Sequence, residues 1–88
     1  FLRFLRALTQ GGVQMGFHPH EAQEISAQVA IGAAALIEDG THAEVEVDNV
    51  TTPMGCTIEG LNAMEHNGLS SAVIKGIMAA YKRISDIN

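Results

Sequence analysis

Ala27-Gln28-Val29-Ala30-Ile31-Gly32-Ala33-Ala34-Ala35-Leu36-Ile37 is the stretch on which the fold turns. Only Gln28 and Gly32 interrupt its apolar run, so a helix built on it is apolar nearly all round. Such a helix is buried on every side, not laid on a surface by one stripe. The small residues Ala30, Gly32, Ala33, Ala34 and Ala35 allow another helix to approach closely. The run is too short for the ~20 apolar residues of a membrane span. A chain of 88 residues hides only about 60% of its unfolded surface, which leaves no core deep enough to enclose this rod. The expectation is a second copy that covers it, in an interlocked dimer.

Composition points the same way. Apolar residues make up 47% of the chain and charged ones 17%, against an average of about 25% charged. At 88 residues the chain is expected to be one small domain, 1–88, since domains usually run to about 100–200 residues; a complete two-domain enzyme is excluded. Five basic and ten acidic side chains give a net charge of −5. That balance argues against nucleic acid, which needs a basic patch; Arg3/Arg6 and Lys82/Arg83 lie at opposite ends of the chain. No membrane segment is expected. The single cysteine, Cys56, rules out an internal disulfide and makes a reduced, cytoplasmic setting the simpler expectation. Phe1-Leu2-Arg3-Phe4-Leu5-Arg6 lacks an initiator Met and a small-residue cleavage site, and reads as the cut edge of a longer polypeptide, not as a signal peptide.

Working outward from the apolar rod, the periodicity predicts about five helices and an all-α fold. The rod is the second half of a helix that opens near Pro19-His20, with Glu21 and Glu24 toward its positive end, and runs to about Asp39 before Gly40. Before it, Phe1, Phe4, Leu5, Leu8 and Met15 roughly follow helical spacing from Phe1 to Met15. There Gly11-Gly12 permits close packing of a neighbour, and Gly16 and Pro19 supply the stop. Residues 42–49 read two ways: Val45-Glu46-Val47 alternates like a strand, and Asp39-Gly40-Thr41 could cap a helix. With no second strand to pair with, one or two helical turns are favoured. A loop over Thr51-Thr52-Pro53-Met54-Gly55-Cys56 follows, then a helix from about Thr57 to His66. A last helix runs from Leu69 or Ser70 to Asp86, with Leu69, Val73, Ile77, Ala80 and Ile84 on one face.

Asn49 to Leu61 is where chemistry concentrates. A loop of small and hydroxyl residues enters a helix N-terminus, whose unpaired N–H groups and partial positive charge suit an anion such as a carboxylate. The simpler reading is that Thr52 or Thr57 merely caps the helix, and caps far outnumber ligand sites.

This segment resembles a known family, the C-terminal dimerisation domain of pyrroline-5-carboxylate reductase. Its hallmark is a stretch like Asp-x-Val-(Thr/Ser)-Ser-Pro-Gly-Gly-(Thr/Ala)-Thr-Ile-x-Gly/Ala-Leu, then a Leu-Glu-x-Gly-Gly turn and a final helix. Asp48, Val50, Thr51, Pro53, Gly55, Thr57, Ile58, Gly60 and Leu61 fit it, as do Met64-Glu65 and Gly68-Leu69. Ala7-Leu8 through Gly16 resembles an upstream family segment, and Ala27-Gln28 with Gly32-Ala33-Ala34 matches another. The likeness covers essentially the whole chain.

The resemblance implies a helical bundle of the 6-phosphogluconate dehydrogenase C-terminal-like kind, in which two copies interlock as a homodimer that can assemble further. It implies hydride transfer to the C=N carbon of 1-pyrroline-5-carboxylate, giving L-proline. NADPH or NADH would be bound mainly by an N-terminal Rossmann domain before Phe1. The Gly-x-Gly-x-x-Gly fingerprint is absent here, so this chain by itself should not turn over. The substrate carboxylate would meet Thr52 and the backbone amides of Gly55, Cys56 and Thr57. The Thr57 hydroxyl, the catalytic candidate, would hydrogen-bond the ring nitrogen, and Val50 would contact the ring or offer its carbonyl. Three positions depart from the pattern. Met54 replaces the first of two glycines and is strained if that position needs φ > 0; otherwise it narrows the pocket. Thr52 replaces a serine, and Val47 a frequent lysine.

The remaining candidates have simpler readings. His18, His20, His42, His66 and Cys56 lack zinc-like spacing, and no metal is expected. Cys56 has no evident base beside it to make it a nucleophile. Met15, Met64 and Met78 read as core filler, and Glu44, Glu46 and Asp48 as a solvated face. The competing function is a non-catalytic helical homodimerisation module, with the loop only a connector.

Overall fold

Leu2–Gln14 form α1. Leu5, Thr9 and Gly12, at the i, i+4, i+7 spacing of one helix face, are its half-buried positions, while Phe1, Phe4 and Leu8 stay exposed. The computed structural model to which these elements belong describes residues 1–87. At the end of α1 the Phe17 amide donates to the Gly12 carbonyl and the Gly16 amide to that of Val13, each at 3.0 Å. This paired closure puts Gly16 at φ +114°, a conformation open to glycine and costly for a residue with a Cβ.

Pro19–Leu36 form α2. Pro19 occupies the first turn, where its missing N–H is no loss, and His18 caps the helix by accepting the His20 amide on Nδ1 at 3.3 Å. α1 and α2 pack together, and Gly12 is their close approach. A Cβ built there would lie 3.1 Å from that of Ala22, whereas one on Gly11 would meet nothing within 4 Å. Ala22, 3% exposed, and Ser26, 8%, are the buried residues among those described. The apolar second half of α2 is bare in the single chain: Val29, Ile31 and Leu36 all face outward from any cover.

α2 ends at Leu36, short of the expected Asp39. The Ile37, Glu38 and Gly40 amides each reach back three residues instead of four, to Ala34, Ala35 and Ile37, so the final turn tightens and stops. Asp39 reinforces the stop by accepting the Thr41 amide at 3.1 Å and its hydroxyl at 2.6 Å, a local turn that competes with helix. Residues 42–49, ambiguous in sequence, are helical: α3 spans Ala43–Val50. α4 spans Cys56–His66, opening one residue before the expected start, and α5 spans Leu69–Ile87.

The corner between α4 and α5 is made by side chains. Asn67 donates Nδ2 to the Ala63 carbonyl at 2.8 Å, closing α4. Glu65 accepts from the Ser70 amide at 3.2 Å and the Ser70 hydroxyl at 2.7 Å, placing a carboxylate on the positive end of α5. Beyond the corner the face of α5 carrying Val73, Ile77 and Ile84 is exposed. Among the described residues there is no strand, and no helix is long and apolar enough to cross a membrane. The chain divides into two compact units, Phe1–Val47 and the part from Asp48 onward. The first holds the α1–α2 pair and the second the α4–α5 corner.

Candidate functional site

The segment from Val50 to Thr57 lies wholly in the second unit. α3 closes at Val50, whose side chain is 53% exposed. The Thr51 amide and hydroxyl both turn back to the Asp48 carbonyl at 3.4 Å. Thr52, Pro53, Met54 and Gly55 then make a tight turn, with the Gly55 amide donating to the Thr52 carbonyl at 3.0 Å. Proline second and a positive φ third is the pattern of a type II turn; Met54 supplies that third place with φ +60°. The sequence left open whether position 54 needs φ > 0. It does, and its side chain is 98% exposed.

Gly55 is the N-cap of α4, extended at φ −81° and ψ 161°, with no side-chain cap over the helix. A Cβ at Gly55 would run into Thr52 Oγ1 and lie 3.2 Å from the Thr52 carbonyl. The position therefore needs glycine for close approach, and the Thr52 hydroxyl rests against the mouth of the helix. The Gly55 carbonyl receives the Glu59 amide at 3.4 Å. That leaves the amides of Cys56, Thr57 and Ile58 at the head of α4 with no carbonyl one turn earlier to receive them.

The structure thus brings Thr52, Gly55, Cys56 and Thr57 to one helix start and sets Val50 just before the turn that leads to it. Two features escaped the sequence. The Gly55 amide is already engaged by the turn, so Gly55 contributes shape, and the third free donor is that of Ile58. Helix onset at Cys56, not Thr57, is what moves the donors by one residue. Among the described residues, neither the Thr52 nor the Thr57 hydroxyl has a hydrogen-bond partner in the chain, and Cys56 is an exposed free thiol. Three unreceived N–H groups at the positive end of a helix can bind a carboxylate. A neutral hydroxyl next to them can orient a proton but is a poor source of one.

Among the described residues no three His, Cys, Asp or Glu come together as ligands. His18 and His42 accept backbone amides at helix starts, and His20 pairs with Glu24 at 2.9 Å on the surface.

Comparison with known proteins gives three concordant results. The family model described as pyrroline-5-carboxylate reductase dimerisation matches residues 1–87. Pyrroline-5-carboxylate reductase 1 and 2 of Dictyostelium discoideum are 52% and 51% identical over 99% and 97% of this chain, which spans only 16% and 29% of their length. A crystal structure of Plasmodium falciparum pyrroline carboxylate reductase with NADP bound superposes on 93% of this chain with a TM-score of 0.88. At 23% identity that likeness speaks for the fold, and it covers 32% of that protein.

Proposed function

The chain belongs to the pyrroline-5-carboxylate reductase dimerisation family, and from that premise we propose that it is the dimerisation and substrate-binding part of such a reductase. The reaction is hydride transfer from NADPH or NADH to the C=N carbon of 1-pyrroline-5-carboxylate, giving L-proline, the final step of proline biosynthesis. The observation that carries the reading is the head of α4, where the Cys56, Thr57 and Ile58 amides and the Thr57 hydroxyl stand without partners among the described residues.

In this reading the substrate carboxylate sits on the Cys56 and Thr57 amides, with the Thr52 hydroxyl at its edge and Gly55 holding the turn close. A planar carboxylate accepts several N–H bonds at once, so it is both held and aligned. Thr57 Oγ1 faces the ring nitrogen and keeps its proton in place; Val50 offers the ring an apolar side chain or its carbonyl. The nicotinamide cofactor supplies the hydride. The residues of this chain do not suit that group: they contain no glycine fingerprint and, among those described, no strand to lead into one. Its binding falls to a dinucleotide domain outside the 88 residues, which fits the small share of the relatives that this chain spans, and the isolated chain is inactive.

The bare apolar faces of α2 and α5 support a homodimer, and one unpaired thiol fits a reducing cytoplasm. A chimera tests the whole reading. This chain replaces the matching segment of the Dictyostelium reductase 2, and oxidation of NADPH or NADH on 1-pyrroline-5-carboxylate is followed. The chimera is expected to be active, and Thr57→Ala to lower kcat by about tenfold to a hundredfold with unfolding unchanged. A folded, dimeric chimera that binds nucleotide without turnover would show the segment to be a connector only.

A further inference from the structure

We infer that His42, outside the site, is a positioning residue for the substrate turn, acting through α3. The inference rests on the proposed role of the turn from Thr52 to Gly55. His42 Nδ1 accepts the Glu44 amide at 3.1 Å, which makes the imidazole the cap of an eight-residue helix. The residues of that helix do little to favour it. Val45, Val47 and Val50 are β-branched and Asp48 and Asn49 are weak helix formers, and two turns are too few to be stable alone. Most of its surface is exposed, with only Glu46 and Val47 half-buried. Yet its last turn supplies the anchor of the site: the Asp48 carbonyl receives both the amide and the hydroxyl of Thr51, the residue immediately before the turn. If α3 frays from its start, that carbonyl is no longer fixed and the turn loses its registration against α4.

Imidazole is an unusual cap. Asparagine does the same work better, and alanine does none of it. His42 touches no reacting atom in this account, so its loss changes how well the turn is held and not the chemistry after binding. The test uses the active chimera, measuring KM and kcat together with deuterium exchange of the peptide spanning Thr51 to Cys56. His42→Ala is expected to raise KM for 1-pyrroline-5-carboxylate about fivefold, leave kcat in place and speed exchange in that peptide; His42→Asn restores both KM and exchange. A purely structural role would lower the active fraction, seen as kcat, and leave KM alone. Unchanged KM and exchange in His42→Ala, or failure of asparagine to restore them, overturns the inference. Faster exchange in a folded chimera that never turns over overturns instead the reading of the turn as a substrate loop.

Discussion

Met54 holds the third place of its turn at φ +60° with nothing packed on its side chain. A left-handed backbone costs a residue with a Cβ about 1–2 kcal/mol, and glycine, which escapes that cost, adds about 0.5–1 kcal/mol of unfolded-state entropy. Met54→Gly is therefore expected to leave stability level or raise it by up to about 1 kcal/mol, whereas Met54→Val, β-branched, lowers it; a denaturant midpoint that falls for glycine would contradict the geometry. Asp39 makes a second prediction. The Thr41 hydroxyl, and after it the Thr41 amide, hold its carboxyl below the usual carboxylate range. A carboxyl lowered in the fold contributes stability above its unfolded value and loses it as pH falls through the folded one. Thr41→Val removes the larger cause and should move the Asp39 titration upward, toward the ordinary range, by NMR; an unmoved midpoint would mean the hydroxyl does not matter.

Between elements, the α4–α5 corner depends on one carboxylate. Gly68 precedes α5 and has no side chain to cap it, so Glu65 reaches across to the Ser70 amide and hydroxyl. Glu65→Ala should cost about 1 kcal/mol, with faster amide exchange confined to the first turn of α5; loss spread evenly over the chain would point to something else. This corner also shows what a sequence reveals and what it hides. Glycine and proline mark helix ends because they alter the backbone itself, so Gly16, Pro19 and Gly68 put the ends of α1 and α4 and the start of α2 in plain view. The end of α2 was misplaced by three residues because Asp39 and Thr41 build a turn with their side chains, and histidine caps at positions 18 and 42 carry no familiar signature. At the candidate site the residue types and their order were legible. The engagement of the Gly55 amide was not, since it follows from a turn whose third residue, Met54, takes a positive φ that the sequence left open.

At the scale of the whole molecule, burial is the central difficulty. In the first unit only Ala22 and Ser26 are buried, and from residue 48 to 86 no residue is. Val29, Ile31, Ile74, Ile77 and Tyr81, each more than half exposed, would together face water in a monomer. Burying one such side chain is worth about 1.5–3 kcal/mol, and a small domain is stable by only about 5 kcal/mol or somewhat more, so leaving them bare removes most of the driving force for folding. Association and folding should then be one transition. For a coupled dimer each tenfold rise in concentration adds about 1.4 kcal/mol, which for two chains of this size raises Tm by about 3–6 °C. That slope is the measurement to make, alongside the mass in solution. Ile77→Glu, which sets a charge on the bare face of α5, should lower Tm and push the onset of helicity to higher concentration. A monomeric mass with a Tm indifferent to concentration would mean that these faces tolerate water, and the case for a second copy would fall with it.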